Sequence, residues 1–170
     1  MPSTVSTRHT PADLRSVMRR FPTGVTVLSS GDVDNAVAMT VNSFTSVSLD
    51  PPRVLVSVMR TARAHPVITS TRRLSIHLLA AHQGDVARLF ASPDKPSGRR
   101  LGEYLTRSAE GHEILPGALA SLSCEVEDDY AGGDHSLFLA RVLHTTPGDS
   151  GHDALLFHQG ALIPAATPRG

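Results

Sequence analysis

Apolar residues Leu14, Val17, Met18 and Phe21 recur at the spacing of one helical face. Thr10 is placed to cap that helix, Pro11 suits its first position, and Asp13 falls in its first turn. Pro22 and Gly24 end it. From there the period drops to two. Val25 and Val27 alternate with Thr26, and "SSGDVDN" supplies a hairpin turn. Val37, Met39 and Val41 then point one way, and Ala38, Thr40 and Asn42 the other. The double proline Pro51-Pro52 marks a loop or a sheet edge, and residues 53–59 read as another apolar strand.

Downstream, Pro66 opens a short helix, residues 73–80 read as a buried strand, and residues 83–92 form a helix presenting Val86, Leu89 and Phe90. Residues 92–112 are rich in Pro, Gly, Ser and charge, which predicts a long surface excursion. Leu122, Cys124 and Val126 alternate with Ser121, Ser123, Glu125 and Glu127 on one arm of a hairpin. "YAGGD" turns it and "HSLFLARVLHT" returns. A last strand, "ALLFHQGALIP", closes the domain. The tally is about seven strands with two or three short helices, a mainly β chain. That pattern predicts a closed or nearly closed antiparallel barrel of Greek-key-like connection over residues 10–164. Residues 1–9 are expected to be a disordered tail, and 165–170 a second tail.

With 170 residues, one domain is expected, large enough to bury roughly 70% of its unfolded surface without disulfide or metal. Sixteen basic residues balance sixteen acidic ones. This argues against a nucleic-acid-binding or membrane-binding surface as the main function. Lys95 is the only lysine, so phosphate contacts are expected from arginine and backbone N–H groups. The single cysteine, Cys124, permits no internal disulfide. It alternates with apolar neighbours and reads as a small core residue. A cytoplasmic protein is expected, because the first residues lack the apolar core of a leader and no run spans a bilayer. Nine histidines are present, but none has the partners of a metal site. The carboxylates Glu125, Glu127, Asp128 and Asp129 read as a solvated strand face.

No G-x-G-x-x-G lies between a strand and a helix, and no phosphate-loop lysine is present. The informative stretch is residues 38–63. Thr40, Asn42 and Ser43 end a strand, and Thr45, Ser46, Ser48 and Asp50 enrich the following loop. An apolar strand then runs to Arg60, Thr61 and Arg63. Hydroxyls and amides beside an apolar wall, with arginines at the far end, suit a phosphorylated ligand. They suit an ordinary turn-rich barrel rim equally well.

The segments "FPTGVTVLS", "MTVNSFTSVSLDPPRVLVSV", "LFA", "LPGALASLSCEV", "GGDHSLFLARV" and "LLFHQG" occur in this order across residues 12–163. Together they resemble the flavin reductase-like family, whose fold is the FMN-binding split barrel. The resemblance implies a homodimer that binds FMN or FAD along the split barrel and takes a hydride from NADH or NADPH. It further implies that reduced flavin passes to a partner flavin-dependent monooxygenase. By position, Thr40, Val41, Asn42 and Ser43 line the ring and ribityl chain. Ser48, Leu49, Asp50 and Pro51 edge the isoalloxazine. Ser57, Arg60, Thr61 and Arg63 lie toward the phosphate, and Phe90 and Ala91 approach from the next helix. His135, with Asp134 and Phe157, meets the nicotinamide. Asp134 either orients the His135 ring or caps the turn. Two positions depart from the family pattern: His77 stands where Asn is frequent, and Ala140 where Gly is usual. The cofactors carry the hydride chemistry, so no strong acid or base is required of the protein. A flavin-binding electron carrier and a non-catalytic flavin-binding protein are the alternatives on the same fold.

Overall fold

The computed structural model describes residues 10–149 and 151–165. The proposed tail at 1–9 lies outside the described residues, as does nearly all of the second one. The first helix, α1 (Pro11–Met18), begins as its sequence dictates. The Thr10 hydroxyl accepts from the Asp13 N–H, and the Asp13 carboxylate accepts from the Thr10 N–H, a reciprocal cap. Its apolar face, however, meets nothing: Leu14, Val17, Met18 and Phe21 are all exposed.

Five strands follow: β1 (Thr23–Gly24), β2 (Thr26–Ser30), β3 (Val37–Val41), β4 (Phe44–Leu49) and β5 (Pro52–Met59). The β2–β3 hairpin turns through Gly31 at φ +92°, where a side chain would also collide with Asn35. Next come α2 (Ala64–Thr71), β6 (Arg73–Leu78) and α3 (Gly84–Ala91). The two-residue strands β7 (Thr106–Arg107) and β8 (Glu113–Ile114) pair with each other. The long hairpin of β9 (Ala120–Gly132) and β10 (His135–Pro147) precedes β11 (Leu155–His158) and β12 (Ala161–Pro164).

Seven strands form one antiparallel sheet in the order β3-β2-β6-β9-β10-β5-β4. Its two edge strands, β3 and β4, are consecutive in the chain and joined only by Asn42 and Ser43. So short a link brings the end of β3 and the start of β4, the two opposite edges of the sheet, together at that corner. β3 and β4 are not paired with each other. Leu28, Val56, Val58, Ile68, Ile76 and Phe138 pack on the inner side. A second core lies outside β2 and β3, where Val27, Ala38 and Leu79 meet Ala87 and Phe90 of α3. Phe90 is fully buried, edge-on to Tyr104 at 5.6 Å. Truncating such a ring to Ala costs about 3–5 kcal/mol.

Two elements differ from the sequence expectation. The 92–112 excursion is not a free surface loop: Pro96, Leu101 and Leu105 are buried, the two leucines in the second core. The expected last strand is a hairpin, β11–β12, turned at Gln159 and Gly160 with φ +51° and +82°. It pairs with β1 in a separate three-stranded sheet. The acidic run is solvent-facing as expected, and it is paired as well. Glu127 meets Arg53 at 2.6 Å, Glu125 meets Arg141 at 2.7 Å, and Asp129 meets Arg72 at 2.9 Å. Exposed pairs of this kind contribute about 0–1 kcal/mol each. Among the described residues no helix is long and apolar enough to cross a membrane.

His77 sits sealed between strands. Its Nδ1 lies 2.8 Å from Ser121 Oγ and its Nε2 lies 3.1 Å from Ser29 Oγ. Ser29 donates its one proton to Glu113 of β8. Ser29 must therefore accept from His77 Nε2–H, and His77 Nδ1 accepts from Ser121. Burial holds the imidazole neutral, with its pKa lowered to about 3.

Candidate functional site

The outer edge of β3 carries no strand, so every second residue turns unpaired backbone groups outward. Three cavities adjoin this strand and its corner. The first, about 240 Å³, lies between Val37–Met39, Thr61–Ala64 and Pro93–Ser97. Arg63 Nη2 donates to the Pro93 carbonyl at 2.9 Å, and Lys95 Nζ donates to the Ser92 carbonyl at 2.7 Å. Burial, then the Arg63 charge, pushes the Lys95 pKa down. No carboxylate lines this cavity. The α2 helix also starts here without a side-chain cap. Two cations and a helix N-terminus make it a place for an anion.

The second cavity, about 530 Å³, opens at the far end of β3. Thr40 and Asn42 form its floor, Ala87, Arg88 and Ala91 of α3 one side, and Phe157 with residues 160–162 the other. Thr40 Oγ1 donates to the Ala87 carbonyl at 2.7 Å, which fixes α3 against β3. The third cavity, about 450 Å³, shares Val25 and Asn42 with the second and is walled by Phe21, Phe44 and Leu155. Thr23 Oγ1, on its lining residue Thr23, is buried with no hydrogen-bond partner among the described residues. A buried hydroxyl left unpaired costs about 1–3 kcal/mol, so a ligand that bonds it gains correspondingly.

The structure sorts the sequence-named residues. Thr40, Asn42, Ala91 and Phe157 share the second cavity, and Thr61 and Arg63 the first. Ser43 Oγ donates to the Ser57 carbonyl at 2.7 Å, tying the corner to β5. Arg60 is exposed, and its main-chain N–H donates to the Asp134 carbonyl at 3.0 Å. Two expectations need correction. Phe90 cannot approach a ligand, because its ring is consumed by the second core. The Val41 side chain points into the inner core, which leaves only its main chain at the site. Ser48, Leu49, Asp50 and Pro51 line none of the three cavities. The Asp50–Pro51 bond is cis, and Leu49 is 90% exposed on an open rim. Sequence reasoning passed over Lys95, Arg88 and Thr23. Lys95 and Arg63 are brought together only by the 92–97 segment folding back, and no local pattern signals that.

His135 opens β10 directly opposite Met59 of β5. Its Nδ1 lies 2.6 Å from Asp134 Oδ1. The His135 hydrogen bond, then its charge, holds the Asp134 carboxyl below the usual carboxylate range. An ionised carboxylate only accepts, so Nδ1 carries the proton and Nε2 is left to face outward. Of the two roles left open for Asp134, the geometry selects ring orientation. His135 lines none of the three cavities. It stands two strands across and a few residues along from Ser43, on the order of 12 Å by strand geometry. Val54, Val56 and Val58 face the core, so Leu55, Ser57 and Met59 face outward beside Leu137 and Leu139. His135 thus ends an outer sheet face of half-buried Leu55, Ser57, Leu137 and Leu139 beside the exposed Met59.

Known proteins resemble this chain in sequence and in fold. Residues 18–165 match the family model described as "Flavin reductase like domain". The chain is 38% identical over 158 residues to the NADH-dependent FMN reductase AsuE2 of Streptomyces nodosus subsp. asukaensis, covering 92% of this chain and 85% of that one. The fold superposes on the NADH:FAD oxidoreductase SgcE6 of Streptomyces globisporus C-1027 with a TM-score of 0.84, at 34% identity, covering 98% and 100% of the two chains. It also superposes on the styrene monooxygenase flavin reductase of Pseudomonas putida S12 with a TM-score of 0.80, at 34% identity, covering 92% and 99%.

Proposed function

This chain belongs to the flavin reductase-like family, and from that premise we propose that it is an NADH-dependent flavin reductase that supplies reduced FMN or FAD to a flavin-dependent monooxygenase. The observation that carries the reading is the layout along β3. A cationic cavity at Ala38 and a ring-sized cavity at Asn42 are separated by four residues of one strand. That span is roughly 13 Å at strand rise, the scale of a flavin mononucleotide from phosphate to ring.

When bound, flavin and nicotinamide supply the redox chemistry, a hydride passing from nicotinamide C4 to flavin N5. The protein's share is placement. Arg63 and Lys95 hold the phosphate. The edge of β3 and the Asn42 amide present donors and acceptors to the polar rim of the ring. Val25, Phe157 and Leu162 wall the ring from water. His135 Nε2 accepts from the carboxamide N–H of the nicotinamide, with Asp134 keeping the imidazole in that tautomer. Holding two flat rings in register in this way replaces acid–base chemistry as the source of rate.

The outer face of β5 and β10, together with α1, is the surface on which a second copy packs, giving a homodimer with His135 at its margin. Residues 10–164 act as one unit, and the protein works in the cytoplasm. The decisive experiment mixes purified protein with NADH or NADPH and excess FMN or FAD, and follows loss of the reduced nicotinamide. Turnover is expected with NADH. Absence of catalysed oxidation in all four combinations overturns the assignment.

A further inference from the structure

Among the described residues, Arg88 is the one charged residue lining the 530 Å³ cavity at Asn42. Its neighbours there are apolar or small: Ala87, Ala91, Phe157 and Leu162. Arg88 lies one helical turn from Ala91 on the cavity-facing stripe of α3, with its side chain 65% exposed at the mouth. Among the described residues its one ion pair is with Asp85, one turn back at 2.8 Å, and the Asp85 side chain is fully exposed. A pair so wet contributes little and is readily exchanged for a stronger anion. Across the mouth, Gly160 presents bare main chain: a Cβ there meets nothing within 4 Å.

On the reading proposed above, the flavin phosphate is anchored at the other end of β3, by Arg63 and Lys95. A nicotinamide that reaches the ring must enter from the opposite end, with its diphosphate trailing at the mouth. We propose that Arg88 is a binding residue for the nicotinamide dinucleotide, pairing with its diphosphate while the Asp85 carboxylate is displaced. Guanidinium suits this role because its planar fork meets two phosphate oxygens at once. The chain thereby separates its two substrates by charge, one cationic station for the flavin phosphate and another for the nicotinamide diphosphate.

The test compares the wild-type protein with Arg88→Ala and Arg88→Lys, using FMN as acceptor so that the flavin brings no second phosphate. Three quantities are read: the KM for NADH, the dissociation constant of NAD+ by calorimetry on FMN-loaded protein, and the FMN dissociation constant by fluorescence quenching. A phosphate-free hydride donor, 1-benzyl-1,4-dihydronicotinamide, serves as control. Arg88→Ala is expected to raise the NADH KM and the NAD+ dissociation constant about tenfold, one charge-assisted contact. FMN affinity and the rate with the phosphate-free donor should move less than twofold. Arg88→Lys should recover part of the NADH affinity, and added salt should weaken NADH binding less in Arg88→Ala than in wild type. The inference is overturned by an unchanged NADH KM in Arg88→Ala, by equal losses with the phosphate-free donor, or by a loss confined to flavin affinity. If the wild-type protein itself turns over no flavin, it is the reductase assignment that fails.

Discussion

Ser43, at the corner where the two edges of the sheet meet, donates from its hydroxyl to the main-chain carbonyl of Ser57, 2.7 Å away. The bond crosses from the β3–β4 link to β5 and holds the corner against the strand that leads to Arg60. The link is solvent-exposed, so its loss costs about 1 kcal/mol or less of stability. The corner also shapes the floor beside Asn42. Ser43→Ala is therefore expected to weaken flavin binding about fivefold with little change in melting temperature. Fluorescence titration and a thermal melt on the same sample check this. A large drop in Tm with unaltered flavin affinity would make the bond purely structural.

If the first cavity holds the flavin phosphate, its cations discriminate flavins by that group. Arg63→Ala and Lys95→Ala should each weaken FMN binding about tenfold or more, since each removes a charge-assisted contact. Riboflavin, which has no phosphate, should bind all forms equally. Parallel losses for both ligands would place the phosphate elsewhere.

His135→Ala should lower kcat/KM for NADH roughly 10- to 100-fold while leaving the flavin dissociation constant within twofold. His135→Gln offers a carbonyl oxygen near the place of Nε2 and should recover part of the rate. Steady-state kinetics with equilibrium flavin titration separates the effects. Intact turnover in His135→Ala would falsify the nicotinamide contact.

His77 gives the protein a definite acid sensitivity. Its folded pKa of about 3 lies below the ordinary 6.5. Between these values the unfolded chain binds a proton that the folded one refuses. Stability from this site is therefore complete above pH 6.5 and is lost as pH falls toward 3, by up to about 1.4 kcal/mol per pH unit. Denaturant melts from pH 7 to pH 4 should show that slope, and His77→Asn should flatten it. An equally steep loss in the variant would assign the slope to other groups.

Cys124 is buried on β9, and burial pushes its thiol pKa up to about 12. The thiolate is the reactive form. Ellman's reagent should leave the native protein unmodified over hours and titrate one thiol at once in denaturant. Rapid labelling of native protein would show that β9 opens locally.

Much of the molecule was legible in the chain because its signals are local. The Thr10–Asp13 cap, the period-two runs, the Gly31 turn and the β9–β10 hairpin each depend on residues a few positions apart. The stretch from Thr40 to Arg63 also announced itself, since hydroxyls, an amide and arginines crowd around strand ends. The Gln159–Gly160 turn was missed because glutamine carries no signal for positive φ. Phe90 was set at the ligand only by its position in the family resemblance, while the helix pattern had already marked it as an apolar face residue, the role the core gives it.

The alternation of side chains along each strand, the ends of the helices and the residue types at the site were written into the order of amino acids, because the backbone enforces them over a few bonds. Which distant groups became neighbours was decided only when the sheet curled. That step set Lys95 beside Arg63, Arg88 at the mouth above Asn42, His77 between Ser29 and Ser121, and His135 at the end of an outer sheet face. Such contacts come from burying apolar surface across the whole chain, and no short window of sequence contains that sum.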